Sequence, residues 1–185
     1  MNIVFFDVET QRTFDEVGGR GNIRALGLAA AVTYATASGT FRHYVETDVE
    51  ALLAELRSAD LVVGFNLLGF DYQVLRAYGP CDLPNTVDIL DHIYRRLGFR
   101  VSLDNLAGAT LHAAKTADGL QAVRWYGEAG KQSDEVQRQA LMQKILDYCQ
   151  EDVEITRRLY EYGRQFKHLK FRDRSYRVQT VPVSW

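Results

Sequence analysis

Apolar positions along the chain switch repeatedly between the period of a strand and that of a helix. Residues 2–7 (NIVFFD) form a short run rich in β-branched and aromatic side chains. Two further runs of this kind, 23–36 and 40–45, are joined across Ala37-Ser38-Gly39, a composition that suits a hairpin turn. Asp48 is placed to cap a helix in which Val49, Leu52, Leu53 and Leu56 recur at helical spacing, and 60–65 (DLVVGF) reads as a buried strand. The opening order is βββαβ.

Further on, 70–78 reads as a helix stopped by Gly79-Pro80, and a short strand at 86–88 leads into an amphipathic helix at 89–97. A helix is predicted over 102–111, with Gly119 and Gly127 marking turns. Ser133 is placed to cap a long helix running to about 162, with Leu141, Ile145, Tyr148 and Asp152 on roughly one face. No repeat, low-complexity tract or linker interrupts this order, so the expectation is a single α/β domain over 1–185.

Composition changes this picture little. The chain has 185 residues, 46% of them apolar, which is ample for a core. Its formal charge of −2 neither announces nor excludes a polyanionic partner, so charge distribution matters more than the sum. The N-terminus has no basic segment before its apolar run, and no apolar stretch approaches the ~20 residues of a membrane span. Cys81 and Cys149 show no CxxC spacing, which argues against a disulfide framework or a zinc site. A soluble, cytoplasmic protein without membrane contact is expected.

The candidate chemistry lies in acidic side chains. Asp7 and Glu9 are two apart at the end of the first strand and so project from one face. At ~5–6 Å and an effective dielectric of about 20, their repulsion is on the order of 3 kcal/mol, to be offset by protonation, exposure or a bound cation. A lone pair of this kind is most often just an exposed strand end. Asp71 enters a helix that follows the strand at 60–65, and the carboxyl end of a strand is where ligands gather in open α/β sheets, although complementing the helix dipole would also explain it. Tyr148 and Asp152 are four apart, one turn along the face of the last helix, and so converge. Asp147, Glu151 and Glu154 read as its solvated side.

The joint order of these motifs, FDVET, GFNLLGFD and YCQEDVE, resembles the DEDD exonuclease superfamily, and the likeness spans roughly residues 2–160. Tyr148 at minus four from Asp152 is similar to the DEDDy branch; the histidine branch would place His at minus five, where Asp147 stands. The segment 102–119 is also similar, less specifically, to the stretch between the family's second and third motifs. The resemblance implies a ribonuclease H-like fold, with a mixed central sheet of about five strands flanked by helices. It further implies a 3′→5′ exonuclease that hydrolyses phosphodiester bonds at single-stranded ends of DNA or RNA with two divalent ions. Four hard oxygen ligands favour Mg²⁺ or Mn²⁺ over zinc.

By that resemblance Asp7 bridges both ions, Glu9 and Asp152 serve the ion on the nucleophile's side, and Asp71 holds the other largely through water. Tyr148 positions the nucleophilic water; a phenol with an ordinary pKa near 10 is a poor base at neutral pH. Thr10 is expected to meet the 3′-terminal nucleotide, Asn66 to serve the substrate from just before the second Asp, and Phe70 to stack on a base. Asn66 as a turn residue and Phe70 as a core residue are the competing readings.

Downstream, 157–177 carries eight basic and two acidic residues, a local balance of +6, interleaved with Tyr160, Tyr162, Phe166, Phe171 and Tyr176. Such a mixture suits a single strand's backbone and bases, and equally suits a solvated helix end packed on a core. Residues 178–185 read as an added strand or a docking tail. Other functions compatible with the sequence are a structure-specific endonuclease of the same fold and a catalytically silent nucleic-acid-binding module. Retention of all four acids with Tyr148 disfavours the silent module. A small-molecule phosphatase would have no use for the basic, aromatic segment. Protein partners are not legible.

Overall fold

β1 (Ile3–Thr10) is buried on both faces, because Ile3 and Phe5 feed one side of the sheet and Val4, Phe6 and Val8 the other. Such two-sided burial makes it a central strand. In the computed structural model, which describes every residue except 82, 84 and 114–118, it lies in the middle of a five-stranded sheet of order β3-β2-β1-β4-β5. β2 (Leu28–Ala35) pairs antiparallel with β1 and with β3 (Thr40–Tyr44), whereas β4 (Leu61–Gly64) runs parallel to β1 and β5 (Thr86–Asp88) parallel to β4.

Helices cover both faces. α1 (Val49–Ser58) brings Val49, Leu52, Leu53 and Leu56, and α2 (Asp71–Leu75) brings Tyr72, Val74 and Leu75, against the Val4–Phe6–Val8 side. The opposite side takes α3 (Ile89–Leu97), α4 (Leu103–Thr110) and the 32-residue α6 (Glu135–Phe166), which lays Cys149, Val153 and Leu159 beside Ile3 and Phe5. α5 (Gly119–Ala129) joins this side through Ala122, which clusters with Ile145, Tyr148 and Ala30 of β2.

Several boundaries differ from expectation. The run predicted as a strand from 23 begins at Leu28, because a 3-10 segment occupies Arg20–Ala25 and Gly27 turns the chain at φ +70°. Gly127 lies inside α5 rather than at a turn. The cap of α6 is Asp134, whose side chain accepts from Val136 N, rather than Ser133, and the helix continues to Phe166. Asp48 precedes α1 but spends its carboxylate on Val45 N at 3.1 Å. The expected helix over 70–78 is regular only to Leu75.

The C-terminal residues form a second, two-stranded sheet, β6 (His168–Arg172) with β7 (Val178–Pro182). α4 clamps β6 along its backbone. Thr110 Oγ1 and Lys170 exchange two hydrogen bonds at 2.9 Å, and Asn105 does the same with Arg172 at 2.9 and 2.7 Å. The chain end then packs onto α6 at Gly163, where a methyl group would stand 2.6 Å from the Trp185 ring.

Candidate metal centre

The acidic residues come from β1, from the start of α2 and from the middle of α6. β1 presents Asp7 and Glu9 on the face of Phe5, toward α6. Its pairing with β2 shifts register between Glu9 and Thr10, a bulge of the kind that re-aims side chains beside functional sites. From α6, Asp152 reaches the same point. One carboxylate oxygen from each of Asp7, Glu9 and Asp152 lies within 4.8 Å of the others. Glu9 and Asp152 are buried and Asp7 partly so.

Asp71 comes by another route. β1 and β4 pair only from Ile3–Leu61 to Phe5–Val63. Three residues further, Val8 N donates to Asp71 Oδ1 at 3.1 Å, so the carboxylate continues the sheet where β4 has left it. Asp71 stands outside the three-residue cluster but feels the charges of Asp88 and Asp152. Burial, the largest cause, and then these charges push its carboxyl up to about 8, against the pull of the backbone amides.

The loop that delivers Asp71 is organised by Asp88, a residue the sequence reading did not single out. Its Oδ1 accepts from Asn66 N (2.8 Å) and Asp91 N (3.2 Å), and its Oδ2 from Leu68 N (3.0 Å). One carboxylate thereby caps α3 and pins residues 66–68. Its position immediately before the α3 helix was the available signal.

Tyr148 is buried on α6 with its hydroxyl hydrogen-bonded to Asp152. Burial first, then the charges of Asp152, Glu9 and Asp7, drive its ionisation far above the ordinary phenol range. It therefore stays a neutral hydrogen-bond donor. Cys149, the next residue, directs Sγ to Asp7 O at 3.3 Å and Asp7 Oδ2 at 3.7 Å, and burial together with the same carboxylates keeps it a thiol. The cluster that could hold an ion is made of the carboxylates Asp7, Glu9 and Asp152, so its donor set is all oxygen.

Asp7, Glu9, Thr10, Phe70, Asp71, Tyr148 and Asp152 all line one cavity of about 280 Å³. Thr10 Oγ1 donates to Arg12 O at 3.1 Å. Phe70 meets Phe14 edge to face at 6.1 Å, and the Arg20 guanidinium lies 4.7 Å from the centre of the Phe14 ring. Phe14, Arg12, Leu120 and Val123 are also among the walls and were not anticipated, since nothing in their local pattern marks them. A methyl at Gly119 would stand 3.9 Å from Glu9 Oε2, which puts the start of α5 over the acids. Asn66 does not line this cavity. It holds a left-handed turn at φ +68°, and its Oδ1 accepts from Arg100 Nη2 at 2.9 Å.

An acid-bearing β1 between antiparallel β2 and parallel β4, in a mixed five-stranded sheet crossed by a long helix carrying the last acid, defines a ribonuclease H-like α/β fold. The chain belongs to the RNase H superfamily, whose family model matches residues 4–163. It is therefore a member of a nuclease superfamily. Among solved structures, the family B DNA polymerase from the hyperthermophilic archaeon Pyrobaculum calidifontis is similar in fold. The TM-score is 0.64 at 17% identity, over 90% of this chain and 25% of the polymerase chain. The chain thus corresponds to about a quarter of that polymerase's length. No curated protein sequence matches it. Among the described residues no helix is long and apolar enough to cross a membrane.

Proposed function

We propose that the chain is a metal-dependent 3′→5′ exonuclease of the DEDDy type, acting on single-stranded ends of DNA or RNA. The observation that carries this reading is the meeting of Asp7, Glu9 and Asp152 within 4.8 Å beneath the buried phenol of Tyr148. Three carboxylates so close repel one another unless a cation or protons intervene, and an all-oxygen set suits Mg²⁺ or Mn²⁺. Asp7, Glu9 and Asp152 would hold one ion, and Asp71, with Asp7 between, a second. The chemistry such ions would supply there is acidification of the attacking water and neutralisation of charge on the scissile phosphate and leaving oxygen.

The protein's own side chains do the rest. Tyr148, neutral and hydrogen-bonded to Asp152, orients the attacking water instead of deprotonating it. The cavity of about 280 Å³ is near the lower end of small-ligand sites, roughly 300–1,000 Å³, and so suits a single terminal nucleotide better than a strand passing through. Phe14, Phe70 and Leu120 offer apolar walls for a base, and Thr10, on the same wall, would meet the 3′-terminal nucleotide. Asn66 contributes to the substrate site by shaping the loop that carries Phe70.

The test uses 3′- and 5′-labelled single- and double-stranded DNA and RNA with Mg²⁺, Mn²⁺ or EDTA, beside Asp7→Ala. Stepwise, metal-dependent shortening from the 3′ end is expected. Cuts in circular single strands would replace the exonuclease by an endonuclease, and full activity of Asp7→Ala would overturn the site.

A further inference from the structure

We propose that the β6–β7 hairpin and the segment before α4 form a second groove, one that holds the portion of a single strand lying beyond the terminal nucleotide. The inference rests on the nuclease reading and adds the course of the strand. The groove has a volume of about 900 Å³, with Phe99, Arg100, Asn105, Arg172, Arg174 and Tyr176 among its walls. A short chain of residues links it to the acidic cavity. Phe65 lines that cavity, the next residue, Asn66, accepts a hydrogen bond from Arg100 at 2.9 Å, and Arg100 lines the groove.

Its charge suits a phosphodiester backbone. Among the described residues, the ion pairs include none of Arg100, Arg172 and Arg174. The acid in the groove, Asp173, is already committed. It accepts from Ser175 N, Arg177 N and Gln179 Nε2 and lies 3.5 Å from the Arg177 guanidinium. The backbone that carries Arg172 is held in place, because α4 clamps β6 through Asn105 and Thr110.

Tyr176 supplies the second, independent observation. It occupies the hairpin tip with φ +59° and is 82% exposed. A bulky side chain in left-handed backbone is strained, and here it gains no burial in return; glycine would sit there without strain. Phe99, on the other wall, is also half exposed, with its edge toward Phe171 at 6.0 Å. Two exposed aromatic rings flanking three arginines are what non-specific binding of a single strand uses, stacking for the bases and cations for the phosphates.

The experiment measures fluorescence anisotropy of labelled 4-mer and 20-mer oligothymidylates with Ca²⁺, using the full chain, Tyr176→Gly and the double variant Arg172→Ala/Arg174→Ala. Wild type should bind the 20-mer more tightly than the 4-mer. Both variants should bind the 20-mer about tenfold more weakly and lose most of that length preference. In the double variant the log–log salt slope should fall by about 0.7 for each phosphate contact removed. Tyr176→Gly relieves strain, so a melting temperature at or above wild type would show that its weaker binding is not unfolding. Wild-type affinity of either variant for the 20-mer, equal wild-type affinity for both lengths, or equally good competition by polyglutamate would overturn the groove. Failure of the nuclease reading would show separately, as oligonucleotides left intact with Mg²⁺ or Mn²⁺.

Discussion

Asp71 Oδ1 receives the amide hydrogen of Val8 at 3.1 Å, across 63 residues of sequence. The bond closes the gap left where β4 diverges from β1, and it places a buried carboxylate one residue from each member of the Asp7–Glu9 pair. An amide donor favours the charged carboxylate, whereas burial disfavours it, and burial dominates.

This relationship makes stability pH-dependent. The carboxyl is raised to about 8 in the folded chain and returns to its ordinary value near 3.8 when unfolded. Between those values the native state binds the extra proton, so this contribution is fully present below about 4 and is lost as pH rises toward 8. In EDTA, the melting temperature of wild type relative to Asp71→Asn should therefore fall from pH 5 to pH 8. Added Mn²⁺ should offset the loss at the alkaline end. A difference that stays constant with pH would contradict the assignment.

Removing one acid should separate stability from activity. In Asp7→Ala or Asp152→Ala the remaining carboxylates repel less, and the metal-free protein should gain on the order of 1–3 kcal/mol in urea unfolding while cleavage is abolished. Loss of activity accompanied by lower stability would point to a damaged fold instead.

Tyr148→Phe deletes a hydroxyl that stays neutral and bonds Asp152, leaving the carboxylates in place. We expect kcat to drop by about 10–100-fold, the scale of a misplaced reactant, with Mn²⁺ affinity by calorimetry essentially kept. The shape of the pH–rate profile should survive, because no group titrating near neutrality is removed. A profile that loses a limb would instead make Tyr148 a proton carrier.

Asp88 tests whether the loop matters as a unit. Asp88→Ala leaves Asn66 N, Leu68 N and Asp91 N without their acceptor, at a cost of about 1–3 kcal/mol. Activity should fall more than the folded fraction does, since the released loop carries Phe70 and Asp71. Equilibrium denaturation and turnover measured on one preparation give the comparison.

The chain end is part of the core. The Trp185 ring lies parallel to that of Tyr160 at 5.9 Å, meets His92 at 4.8 Å, and donates Nε1–H to Tyr160 O at 3.0 Å. Trp185→Ala should cost about 2–3 kcal/mol, and Gly163→Ala about 1–2 kcal/mol through its clash with the same ring, both read from urea midpoints.

Local pattern alone was enough for β1, α1, α3 and α4, whose apolar periods match the faces they bury, and for the shared side of Asp7 and Glu9, which follows from strand alternation. It also paired Tyr148 with Asp152, one helical turn apart. The order of the acidic motifs led to the ribonuclease H-like fold. Glycine misled at Gly127, because a helix docked on β2 and α6 absorbs the small local cost of that residue.

What only the tertiary structure decided is which charges face each other and which aromatics face water. Within the basic stretch 157–177, Arg157 is held by Glu154 and Glu161 and lies over Tyr34, while Tyr160 and Phe171 are buried. Arg172, Arg174 and Tyr176 instead stand out on a hairpin clamped by Asn105, a residue 67 positions away from Arg172. Composition could not divide that segment, because burial is a property of the neighbours a side chain meets. The same holds for the site: the resemblance carried by the order of the acidic motifs pointed to Asp7, Glu9, Asp71 and Asp152, but the bulge at Glu9, the Val8 amide and the crossing of α6 determine where each carboxylate points.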